Sequence, residues 1–318
     1  MFKPNFVTER EKNNIPFDLY FASATSTNTK NYLLENNLPI LYSQYYQRSD
    51  ISKVIKKSDS KIFVDSGAHT AHTKNLEIDV DNYIEYINTI SDDIYVFAQV
   101  DKIPGIYLQP KTKEDWALAP KLSWDNFLYM YERVKEPKKL MMIHHQGENF
   151  KWLENMLEWT DKTGNHINYI GLSPRGDVPV SSKINYLSHC FNIIEKSSNP
   201  NVKTHALGMT SLNVLEMFPL YSADSTTWKL IAAMGSIITP WGVVYVSTRG
   251  KYNKDYLLNL NKEIQDNILN YIELNGFTFD DVSNTDNARY IININYLKNW
   301  AKNYKYKGIN SSIPHILF

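Results

Sequence analysis

The chain has 318 residues, 34 Lys+Arg against 34 Asp+Glu, one cysteine and 43% hydrophobic residues. This composition excludes a disordered chain, the charge balance excludes a basic field over the whole molecule, and the lone Cys190 excludes a disulfide framework or a zinc site built on several thiolates. The opening MFKPNFVTEREKNN has no apolar leader core, so the cytosol is the expected compartment.

Short β-rich runs follow one another at 17–23, 61–66, 94–100, 139–145, 167–172, 202–208, 219–224 and 242–247. They are dense in β-branched, aromatic and aliphatic residues, as buried parallel strands are. Helical patterns lie between them at 80–91, 123–135, 149–162, 181–196 and 210–217, with Ser181, Ser182 and Thr210 as candidate caps. A ninth run, 39–44, is read as an extra strand in the first crossover. The most apolar window, 231–246, is too short for a membrane span and is cut by Gly235 and Pro240. It reads as a helix end followed by a strand. Eight strands alternating with helices predict a (β/α)8 TIM-like barrel over residues 1–250. An open doubly wound sheet shares the same local pattern. Residues 251–318 are expected to form a helical extension packed on the barrel, with helices near 252–274 and 287–304.

Polar residues gather where these strands end. Asp65-Ser66-Gly67, Asp101, His145-Gln146-Gly147, Gly171-Leu172-Ser173, Gly208-Met209 and Asp224-Ser225 all fall there, which in a barrel is the catalytic face. One aspartate after a strand is ordinarily a turn or cap residue; a series in chain order points to a shared pocket. Paired carboxylates suit chemistry at an anomeric carbon, of an N-glycoside as much as an O-glycoside. A third carboxylate with an amide suits a purine-like edge. Histidines 69, 72, 144, 145 and 205 allow a metal-dependent hydrolase as an alternative. Strand alternation lets only one of His144 and His145 face the interior. A glycoside hydrolase using Asp65 and Asp224 and a non-catalytic nucleic-acid binder are further readings. No phosphate-binding glycine loop is present. Lys102 and Arg175, just after two strand ends, are placed to meet phosphates. Lys298, Lys302 and Lys305 alternate with aromatics in YLKNWAKNYKYKG (296–308), which suits a surface tracking a nucleic-acid backbone or, equally, a solvated helix face whose aromatics pack on the barrel.

VDSGAHT (64–70), FAQVD (97–101), HHQGE (144–148), IGLSP (170–174), HALGMT (205–210) and YSADSTT (221–227) resemble, in order, the motifs of the tRNA-guanine transglycosylase superfamily. The resemblance spans roughly residues 17–250. It implies that Asp224 is the nucleophile at C1′ and Asp65 the general acid/base. It implies that Asp101 reads the N1/N2 edge of the base, that Gln146 with the Gly147 and Gly171 backbone reads O6, and that Leu172 and Ser173 line the side of the 7-substituent. Ser66 and Met209 fall within matched motifs, and His69 stands where the family has a stacking aromatic. The family's zinc site of three cysteines and a histidine is absent, Ala68 replaces a motif glycine, and Thr226-Thr227-Trp228 replaces a Thr-Arg stretch. These departures resemble the phage-type branch, the DpdA-like enzymes that insert 7-deazaguanine derivatives into DNA. The implied partners are DNA and a base such as preQ0, with no metal and no other cofactor. Without the zinc subdomain, which family dimers use, a monomer is expected.

Overall fold

A computed structural model describes residues 16–45, 51, 59–209, 211–250, 252 and 254–309. Thr210, a candidate cap, lies outside them. Eight parallel strands close into a barrel in chain order. They are β1 (Asp18–Ala22), β2 (Ile40–Ser43), β3 (Ile62–Asp65), β4 (Val96–Ala98), β5 (Leu140–His145), β6 (Tyr169–Ser173), β7 (Lys203–Ala206) and β8 (Ser222–Ser225). β8 closes against β1, with Tyr20 opposite Asp224.

The predicted barrel stands, with one exchange of staves. The run at 39–44 is no extra strand: as β2 it pairs with both β1 and β3. The run at 242–247 is not a stave. It forms β10 (Gly242–Tyr245), antiparallel to β9 (Ser236–Thr239) in a separate hairpin. Both runs have the same local β pattern, and only ring closure tells them apart.

Alternation along the strands sets two packing layers. Tyr20, Phe63, Val96, Ala98, Met141, Ile143 and Tyr169 fill the barrel interior. Their neighbours, such as Leu19, Ile62, Phe97, Met142, Ile170 and Leu172, belong to the larger core between strands and helices.

The connecting helices start where the sequence offers caps. α1 (Thr27–Glu35) begins on Ser26, whose side chain accepts from the Thr29 N–H. α2 (Ala68–Thr73) follows β3 directly, and α3 (Val80–Ile90) is capped by Asp79. A capping box of Thr112 and Asp115 opens α4 (Lys113–Tyr131). α5 (Lys151–Glu158), α6 (Val180–Lys196), α7 (Leu212–Leu215) and α8 (Thr227–Ala233) follow β5 to β8 in turn. Cys190 is buried in α6.

Beyond the barrel lie α9 (Lys262–Leu274), α10 (Phe279–Asn284) and α11 (Asp286–Lys302). With the β9–β10 hairpin they enclose a second core of Ile237, Val244, Leu257, Ile268, Ile272, Val282 and Ile292. This core starts before residue 250, so the hairpin belongs with the C-terminal helices. Buried Asn293 ties it to the barrel layer: its Oδ1 accepts from the Ile238 N–H (2.7 Å) and its Nδ2 donates to the Trp228 carbonyl (3.0 Å). Among the described residues no helix is long and apolar enough to cross a membrane.

Candidate active site

The C-terminal mouth of the barrel gathers Asp65 from β3, Asp101 after β4, His145 from β5, and His205 and Asp224 from β7 and β8. Tight backbone turns hold the carboxylates. Gly67 has φ +84°, and a Cβ there would lie 2.9 Å from Tyr45 Cβ, so both conformation and space call for glycine. Its N–H donates to Asp65 Oδ2 at 3.0 Å. Asp224 is held by two donors on one oxygen, the Gly208 N–H at 2.7 Å and His205 Nε2 at 3.2 Å, both to Oδ1.

Electrostatics separate these two carboxyls. Burial pushes Asp65 up to about 7, and the charges of Asp101 and Asp224 add to the shift against the Gly67 N–H. Asp65 therefore takes and gives a proton near neutrality. Asp224 differs in that its Oδ1 is doubly hydrogen-bonded.

Asp101 Oδ2 pairs with His145 Nε2 at 2.8 Å. Burial disfavours the imidazolium, but the hydrogen bond and charge of Asp101, with the Glu148 charge, raise His145 above its ordinary value. Buried Glu148 accepts from the His145 N–H at 3.1 Å through Oε2, while its Oε1 has no partner. Burial pushes that carboxyl up to about 7. His145 and Glu148 were not expected as a unit. The signal was the alternation that puts His145 on the same face as Ile143. A cleft of about 180 Å³ opens beside Asp101, lined by Ala68, Ala71, His72, Leu76 and Gly105. Its lining does not reach Asp65 or Asp224.

Several predicted site residues stand elsewhere. The Gln146 amide is bonded within the protein: Nε2 donates to the Ser182 carbonyl and Oγ (3.1 and 3.0 Å), and Oε1 accepts from the Arg175 N–H (2.9 Å). It pins the β5 and β6 loops to α6. Leu172 is fully buried toward the helices, because Tyr169, Gly171 and Ser173 take the interior face of β6. Met209 is buried in the same outer core. The space over Gly171 is filled by Leu207, Met141 and Ile143, and that over Gly147 by the Trp116 ring, 2.6 Å from where a Cβ would stand. Neither backbone is open in the way expected of an O6 reader. Ser66 is buried with its hydroxyl unpartnered. His69 is exposed on α2. Ser173 stays partly accessible at the end of β6.

The histidines do not assemble as a metal reading requires. His144 faces the helices, stacked on Tyr186 and Phe150, and burial holds it neutral, down to about 3. His205 is bonded to Ser222 and Asp224. Among the described residues no group of three or more His, Cys, Asp or Glu is arranged to hold a metal.

The expected phosphate contacts divide by position. Lys102 and Arg175 lie at the mouth, paired with Glu77 (3.1 Å) and bidentately with Asp177 (2.6 and 3.0 Å). Lys298, Lys302 and Lys305 lie at the other end of the molecule. The Tyr304 ring stacks on Phe17, which precedes β1, and its hydroxyl donates to the Leu215 and Phe218 carbonyls. Lys298 donates to Asn36, which ends α1 at that same N-terminal face. The aromatics of 296–308 are packing residues, so these three lysines do not border the carboxylates. Compared with protein-family models and with curated proteins, the chain matches neither a family nor a protein.

Proposed function

We propose that this chain is a base-exchange transglycosylase that replaces guanine in DNA with a 7-deazaguanine derivative such as preQ0 through a covalent Asp224–C1′ intermediate. The observation that carries this reading is the unlike pair at one mouth. Asp65 is poised to exchange a proton near neutrality, and Asp224 is anchored through Oδ1 by two donors. In the first half-reaction an Asp224 oxygen attacks C1′, the glycosidic C–N bond breaks, and Asp65 gives its proton to the departing guanine. In the second, Asp65 takes the proton of the incoming base, whose nitrogen attacks C1′ and releases Asp224. Both displacements pass through an oxocarbenium-like state that the two carboxylates stabilise.

Asp101 with His145 supports purine recognition, an anionic acceptor beside a ring donor. This puts His145 in the role first given to Gln146. The target nucleoside must leave its stack, at a cost of roughly a few kcal/mol. Lys102 and Arg175 near the mouth are the cations that would offset it with phosphate contacts.

The test is incorporation of labelled guanine and labelled preQ0 into duplex DNA, single-stranded DNA and tRNA, with Asp224→Ala and Asp65→Ala beside the wild type. Label entering DNA, and lost in both variants, is the expected result. Label entering tRNA alone keeps the chemistry and replaces the substrate. No label in any nucleic acid overturns the reading.

A further inference from the structure

Behind Asp224 a buried file of side chains runs down the barrel interior. Tyr169 OH lies 2.5 Å from Ser222 Oγ, Ser222 Oγ lies 2.8 Å from His205 Nδ1, and His205 Nε2 lies 3.2 Å from Asp224 Oδ1. Tyr169, Ser222 and His205 are each at most 3% exposed. Tyr20 and Phe63 stand edge-on to the His205 ring, with centroids 5.9 and 4.9 Å away.

Only one proton arrangement satisfies every member of this file when Asp224 is ionised and the His205 ring is neutral. A carboxylate only accepts, so His205 Nε2 bears the hydrogen. A neutral imidazole then accepts at Nδ1, which Ser222 must fill with its O–H. The Ser222 oxygen in turn accepts from the Tyr169 O–H. Burial keeps that phenol protonated, well above its ordinary value. Every dipole points toward Asp224 Oδ1, where the Gly208 N–H is the second donor beside His205. Oδ2 has no hydrogen-bond partner among the described residues, and the side chain keeps 12% of its exposure.

We infer that Tyr169, Ser222 and His205 are positioning residues that lock Asp224 as a carboxylate with Oδ1 tied back and Oδ2 presented as the attacking oxygen. This rests on the nucleophilic role proposed for Asp224, but the proton arrangement is readable without turnover. No residue of the file touches substrate; each acts through the next.

The test combines long-range 1H–15N correlation of histidine rings in labelled protein with steady-state base exchange. At pH 8 the wild-type His205 ring is expected as a single Nε2–H tautomer. Ser222→Ala, which deletes one oxygen from the interior, is expected to release that tautomer into a mixture. It should lower kcat about tenfold with KM unchanged, the scale of one lost buried hydrogen bond acting in the transition state. Tyr169→Phe, which keeps the ring, should lower kcat about threefold by the same principle. A wild-type Nδ1–H tautomer, or an imidazolium at pH 8, overturns the inference whatever the activity. So does an unchanged kcat in folded Ser222→Ala. If the wild type exchanges no base, the proposed function fails, while an Nε2–H tautomer lost in Ser222→Ala still establishes the file.

Discussion

The two ends of the barrel interior hold charge in opposite ways. At the N-terminal end Asp18 pairs with Lys61 at 2.7 Å. Lys203 sits over the Tyr95 and Tyr221 rings, 5.2 and 4.9 Å from their centroids, and bonds the Tyr95 hydroxyl at 3.0 Å. Each charge there has an opposite charge, a ring face or a hydroxyl. At the C-terminal mouth Asp65, Asp101 and Asp224 converge with His145 as the nearest cationic partner. One end is satisfied and serves stability. The other keeps carboxyls in surplus, which costs stability and tunes a proton. Substitutions at the two ends should therefore move stability in opposite directions.

The largest effect belongs to the mouth. Asp224→Ala should lower base exchange by at least about 10³-fold, the scale seen when a nucleophile is removed. Asp65→Asn should lower it by about 10²–10⁴-fold, as loss of a general acid/base does. Both are read from single-turnover incorporation of labelled base, and a fall below tenfold in either breaks the assignment.

Stability sharpens the comparison next. With its carboxyl raised to about 7, folded Asp65 holds a proton that the unfolded chain, near 4, has released. Stability therefore falls as pH rises from about 4 to about 7 and stays reduced above it. Asp65→Asn lacks that loss and should be more stable than wild type by about 1–3 kcal/mol above pH 7, after allowing for partial solvent access. The gap should close below pH 4. At the other end Asp18→Ala strands Lys61 and should destabilise by about 1–3 kcal/mol at pH 7 with kcat unchanged. Urea titrations across pH check both, and equal signs at the two ends would dissolve the contrast.

The smallest effects concern nucleic acid. Lys102→Ala with Arg175→Ala should weaken DNA binding by about tenfold at low salt and flatten its salt dependence. Lys298→Gln, Lys302→Gln and Lys305→Gln together should leave affinity within about twofold, since those residues face away from the mouth. Fluorescence anisotropy over a salt series reads both.

Much of this arrangement was legible in the sequence, for reasons visible residue by residue. Asp65, Asp101 and Asp224 were found because a barrel puts strand-end residues on one rim, and strand ends show in local pattern. The exchange of 39–44 for 242–247 was not legible, because GVVYVS is as strand-like as PILYSQ and closure is a non-local fact. Leu172 could have been placed: with Tyr169 and Gly171 facing in, alternation turns it toward the helices. Gln146 could not, since it lies one residue past β5, where alternation no longer holds and its amide meets Ser182 on a distant helix. The lysines of 296–308 were misplaced because interleaved aromatics look the same whether they stack on bases or, as Tyr304 does, on Phe17.

The most direct test of the central claim is a trap for the covalent intermediate. Wild-type protein is mixed with guanine-containing DNA without incoming base, quenched in denaturant and digested for peptide mass mapping. The account predicts a deoxyribosyl adduct on Asp224, absent from Asp224→Ala and chased by added 7-deazaguanine base. Active enzyme that yields no adduct, or an adduct on Asp65, would contradict it.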